Sequence, residues 1–120
     1  MNESKYKSDI QKIKSEYESN DDKWYQIILF VLVENHSRYT LKKESNDKGN
    51  IATREFPEWK VSDVPKKEEK LFVFDNDFKN YNKYELKGSI SWQIMKENRK
   101  PFNNGKIGKR LVLTYEIPFV

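Results

Sequence analysis

The chain contains no cysteine, which excludes a disulfide framework, a thiolate metal site and a thiol nucleophile. His36 is the only histidine, so a Ser-His-Asp triad or an imidazole metal site would have to be built on that one residue. It follows Glu34 and Asn35 at a predicted strand end, where an ordinary solvent-exposed histidine is expected. The four glycines (Gly49, Gly88, Gly105, Gly108) do not spell a phosphate-cradling loop of the Walker or dinucleotide type. The longest apolar run, 27–33, has seven residues, far fewer than the roughly 20 that a membrane-spanning helix needs. The opening "MNESKYKSD" is polar and mixed in charge, so no signal peptide is expected, and the sequon Asn35-His36-Ser37 carries no weight without one. These absences lead to the expectation of a soluble, cytoplasmic chain with no membrane partner.

What is present is charge and aromatic area. The hydrophobic share is 36 % and the charged share 35 %, an unusually wet composition. Three Trp, seven Tyr and seven Phe nevertheless supply enough buriable surface to argue against disorder. At 120 residues a single domain spanning 1–120 is expected, with a thin aromatic core.

Tyr6, Ile10, Ile13 and Tyr17 fall 4, 3 and 4 residues apart, which predicts a helix over about 3–19 with one narrow apolar face suited to lying on a sheet. "SNDD" at 19–22 is turn chemistry that ends it. From Trp24 the residues are β-branched and aromatic on both parities, so 24–35 is predicted to be a strand buried on both faces, and central. Strands at 37–43 and 51–56 follow, and the three suggest a meander. The stretch 57–70, with two prolines and dense charge, reads as a loop with room for one helical turn. A short strand is expected at 71–75. Alternation then predicts half-buried strands at 84–95 and 110–119, with Tyr84, Leu86, Ile90, Trp92 and Ile94, and Leu111, Leu113, Tyr115, Ile117 and Phe119, facing inward. Pro118 places the last strand at an edge or marks its end. The fold class is therefore α+β: one N-terminal helix on a mostly antiparallel sheet of five to six strands, with a long C-terminal hairpin.

Between the last two strands runs "KENRKPFNNGKIGKR". Its six basic residues (Lys96, Arg99, Lys100, Lys106, Lys109, Arg110) stand against Glu97 alone, a surplus larger than the net +4 of the whole chain. Phe102 and Ile107 lie among them, so the segment combines apolar anchors with a charged rim, the make-up of a protein–protein hot spot. Arg99 and Arg110 are suited to bidentate pairing with carboxylates of an acidic partner. Phe78, Tyr81 and Trp59 add aromatics in connections. Asp75 and Asp77 in "FDND" have oxygen ligands that a divalent cation could use, but an Asp-rich strand end is more often turn chemistry. No metal or cofactor is expected, and the chain is expected not to be an enzyme.

The same basic segment admits a nucleic-acid reading, in which it follows a phosphate backbone. The short matches to RNA-binding modules fail on context. Gly105-Lys106-Ile107-Gly108 is flanked by strands, not by the helices that a KH loop joins. "LFVFDN" is similar to one half of an RRM signature, yet Lys87-Gly88-Ser89-Ile90-Ser91-Trp92 lacks the stacking aromatics of the other.

A short, cysteine-free chain rich in Lys, Asn, Tyr and Ile, without catalytic residues, resembles the small phage-encoded anti-defence proteins of low-GC bacterial hosts. In length and character it is similar to the inhibitor of the bacterial defence-associated sirtuin system. That resemblance implies a non-enzymatic inhibitor that binds a large NAD-consuming host effector and holds it inactive.

Overall fold

The computed structural model describes residues 6–19, 26–44, 54–78, 84–96 and 109–118. It contains a helix, α1 (Lys7–Glu18), and six strands: β1 (Ile28–Glu34), β2 (Thr40–Lys43), β3 (Arg54–Glu55), β4 (Glu69–Asp75), β5 (Leu86–Met95) and β6 (Arg110–Ile117). A single 3-10 turn at Pro57–Trp59 lies within the 57–70 connection. The architecture is α+β, but the strands form two three-stranded antiparallel sheets rather than one, in the orders β1-β4-β3 and β2-β5-β6.

The need for two sheets follows from β1 and β4, which are apolar on both parities. One helix can cover only one face of such a pair, and the other face requires a second layer. Ile28, Phe30 and Leu32 of β1, with Leu71 and Val73 of β4, pack against Tyr6, Ile10, Ile13 and Tyr17 of α1. The opposite parity, Leu29, Val31 and Val33 with Phe72 and Phe74, packs against Leu41, Leu86, Ile90, Trp92, Leu113, Tyr115 and Ile117 of the second sheet. Phe72 stacks on Trp92 with ring centroids 6.0 Å apart, and Phe74 meets Tyr115 at 4.9 Å. At twelve residues α1 would be marginal alone, so this packing is what holds it helical.

Two expectations are corrected by this arrangement. The strands predicted at 24–35, 37–43 and 51–56 do not form a meander, because β1 pairs with β4 and β2 with β5. Nor is the first strand central: β4 lies between β1 and β3, and Leu71–Asp75 are all buried while every residue of β1 is only half-buried. Both strands are apolar throughout, and that pattern reports covered faces without saying which strand has neighbours on both sides.

The last two strands pair as alternation predicts, from Leu86↔Ile117 to Gln93↔Arg110. Departures from the expected inward set occur at the ends: Tyr84 is 45 % and Leu111 43 % exposed. Ser91, on the face expected to be wet, is buried, and its carbonyl accepts the Glu44 amide at 3.0 Å. β6 ends at Ile117 and lies at a sheet edge. The Ile94 amide donates to the Lys109 carbonyl at 2.9 Å, which fixes the odd residues of β6 as those bonded to β5. Pro118 therefore occupies an edge-facing position where its missing N–H costs the ladder nothing. Among the described residues, no helix is long and apolar enough to cross a membrane.

Candidate binding site

The ladder between β5 and β6 brings the two ends of the basic segment together, with Lys96 and Lys109 exposed at the same end of the sheet. Arg110 follows, and its fork is already engaged. Nε donates to Glu44 Oε1 at 2.6 Å and Nη2 to Glu44 Oε2 at 2.8 Å. The hydrogen bond from Arg110 holds the Glu44 carboxyl below its ordinary range against a smaller opposing effect of burial, and the Glu44 carboxylate raises Arg110 in turn. A pair this exposed adds little stability, but it fixes the foot of the connection against β2. Arg110 thus spends on its own chain the geometry expected for an acidic partner.

Arg99, Lys100, Phe102, Lys106 and Ile107 lie outside the described residues, as does Tyr81. Phe78 is half-buried, with its ring edge-on to Tyr84 at 5.0 Å between centroids. Trp59 packs against the Leu71–Val73 cluster as satellite core.

A second cluster joins residues that no sequence pattern links. Arg54 Nη2 donates to Asp75 Oδ2 at 2.7 Å and to the Tyr17 hydroxyl at 2.7 Å. Tyr17 in turn donates its hydroxyl proton to Asp75 Oδ2. Asp75 Oδ1 accepts the Asp77 amide at 2.9 Å. This is the turn expected of "FDND": Asp77 has φ 48°, a left-handed value that aspartate tolerates. The Asp75 side chain is 2 % exposed and that of Arg54 51 %, so the carboxylate is inside and the guanidinium reaches water. Burial, and after it the hydrogen bond and charge of Asp75, push the Tyr17 phenol far above its ordinary value of 10.0, with Arg54 pulling the other way. Burial works against the Arg54 charge, but Asp75 and Tyr17 outweigh it and hold the guanidinium above its usual range. Beside the cluster is an open groove of about 380 Å³ lined by Glu16, Tyr17, Arg54, Glu55, Phe56 and Pro57. Because the phenol keeps its proton and the guanidinium its charge, the cluster fastens α1 to the first sheet and offers no proton shuttle near neutrality.

The phenol shift has a sign that can be read out. A folded value above the unfolded one means that the stability gained is complete below about pH 10 and is lost as the pH rises through the folded value. Alkaline titration followed by tyrosine ultraviolet absorbance should therefore show one late phase coincident with unfolding. Tyr17→Phe should remove that phase, whereas an unchanged late phase in the variant would assign it elsewhere.

His36 is exposed and lies 3.0 Å from Glu34 Oε2. Asn35, buried beside it, works as a clip: its amide donates to the carbonyls of Tyr39, Val64 and Pro65 while its oxygen accepts from Ser37. No group of three or more His, Asp or Glu side chains placed to hold a metal ion occurs among the described residues. Comparison with protein-family models, with curated proteins and with solved structures finds no match to this chain.

Proposed function

We propose that the chain acts by binding, as a non-enzymatic phage-type inhibitor that engages a larger bacterial anti-phage defence protein in the host cytoplasm and blocks its activation. On this reading the target presents an acidic surface to the basic segment 96–110. The observation that carries the reading is the foot of that segment: Lys96 and Lys109 project from one end of a paired β5–β6 ladder, and the Arg110–Glu44 fork fixes where the intervening residues leave the sheet. A charge surplus there contributes nothing to the core, and six like charges in one connection repel. Such a cluster raises the association rate and selects the partner, while apolar anchors such as Phe102 and Ile107 set how long the complex lasts. A sirtuin-like NAD-consuming effector is the target class that the resemblance implies.

The test is charge reversal at Arg99, Lys100, Lys106 and Lys109 to Glu. The variant is expected to keep the wild-type Tm and to associate with its protein target at least tenfold more slowly. A chain that instead follows phosphates would bind nucleic acid of any sequence, with a log–log salt slope of about −0.7 to −0.9 per phosphate contacted. Association at the wild-type rate by the variant would reject the role of this segment.

A further inference from the structure

The two sheets have four lateral edges, and three of them are blunted. β3 is two residues long among those described. β2 is capped by the 63–64 segment: Leu41 and Val64 exchange backbone hydrogen bonds at 2.9 and 2.8 Å, and the Lys43 amide donates to Asp63 Oδ1 at 2.7 Å. β6 carries Arg110 and Glu116 on its edge-facing positions and is followed by Pro118. Short length, charge, proline and covering loops are the usual means by which proteins prevent a further strand from adding to a sheet.

Among the described residues β1 has only one of these, the charge of Glu34 at its end. Its sequence, ILFVLVE, is apolar for six residues and has no proline, lysine or arginine. No strand or bridge lies beyond it among the described residues. Both its faces are covered by the same layers that bury Leu71–Asp75 of β4, yet all seven residues of β1 stay half-buried. What separates the two strands is a lateral neighbour. The hydrogen-bond phase is also fixed. The Asn35 amide bonds to the Glu68 carbonyl and the Asn76 amide to the Ile27 carbonyl, so odd residues of β1 bond to β4. The amides and carbonyls of Ile28, Phe30, Leu32 and Glu34 therefore point to the open side.

We infer that this edge pairs with the same edge of a second copy of the chain, antiparallel about a two-fold axis at Val31, giving one continuous six-stranded sheet across the dimer. The choice of a second copy rests on self-complementarity. In that register the outward residues meet outward residues, Ile28 opposite Glu34 and Phe30 opposite Leu32, which adds about eight backbone hydrogen bonds. Leu29 then faces Val33, and Val31 faces itself, so apolar side chains continue both buried layers across the junction. No carboxylate faces another, because Glu34 falls opposite Ile28. The axis stands perpendicular to the sheet, so both helices remain on one side and both second sheets on the other, as an isologous contact requires. The inference is independent of the proposed target.

Because the chain has no cysteine, Val31→Cys places a single thiol on the proposed axis, where it faces its own copy. Light scattering of the wild-type chain should give the mass of two chains, and mild oxidation of the variant should convert most of it to a covalent dimer. Val112→Cys, 55 % exposed on the outer face of β6, should cross-link far less. Hydrogen exchange should show the Phe30 and Leu32 amides protected in the dimer and released on dilution. A monomeric wild-type mass overturns the inference. If those amides stay protected in a monomer, the covering segment belongs to the same chain. A dimeric mass in which Val31→Cys cross-links no better than Val112→Cys overturns it too, since the contact then lies elsewhere.

Discussion

Truncation of Trp92 to alanine should lower the unfolding free energy by about 4 kcal/mol, within the range for removal of a large buried aromatic. The side chain is fully buried, lies between β4 and the second sheet, and stacks on Phe72. Its indole N–H also donates to the Ser62 carbonyl at 2.9 Å, which pins the 61–64 segment that caps β2. The loss therefore combines a cavity between the sheets with an acceptor that must find water. Trp59, half-buried beneath α1, should cost clearly less when truncated, because its surroundings can collapse onto the gap. Urea unfolding of the two variants gives the comparison. Equal losses, or a Trp92→Ala loss below about 1.5 kcal/mol, would mean that the second sheet does not pack against the first as described.

Arg54→Ala should be the costliest single change among the exposed residues, at about 3 kcal/mol. The reason is asymmetric burial. Arg54 is half in water, but its removal leaves Asp75, with a side chain only 2 % exposed, without its counter-charge. Tyr17 and the Asp77 amide still donate to that carboxylate, which keeps the loss at the lower end of what a broken buried pair costs. Part of the loss also comes from packing, since the guanidinium covers the Phe56 ring at 5.0 Å. Tyr17→Phe should cost less, about 1.5 kcal/mol, because the ring still reaches Phe56 and only the hydroxyl is lost. Both residues donate to the same oxygen of Asp75, so the double variant should depart from additivity. Additive losses would show that the three groups do not act as one unit.

How much of this was legible from the sequence depended on whether the signal was local. The 4-3-4 spacing of Tyr6, Ile10, Ile13 and Tyr17 is a property of twelve consecutive residues, and all four do line the helix face that meets the sheet. The alternation of β5 and β6 is equally local, and their pairing follows from it. The division into two sheets was not legible, because β1 and β4 show the same apolar pattern and neither records which neighbour it pairs with. The Tyr17–Arg54–Asp75 cluster draws on three separate elements, and the Glu44–Arg110 fork spans 66 positions. Ion pairs of this kind leave no periodicity. Of the residues expected to meet a partner, Arg110 shows the consequence: its fork is bidentate, but the carboxylate it meets here, Glu44, is in its own chain.

On the proposed function, the basic segment recognises protein and is not needed for folding. The most direct measurement is paired affinity capture from a nuclease-treated lysate of a host carrying a defence effector, using the wild-type chain and the variant with Arg99, Lys100, Lys106 and Lys109 changed to Glu. The two proteins are first shown to have the same Tm. The wild type should retain one protein in stoichiometric amount, and the variant should lose it. Recovery of nucleic acid alone before nuclease treatment, or equal retention of the protein by both chains, would contradict the proposed function.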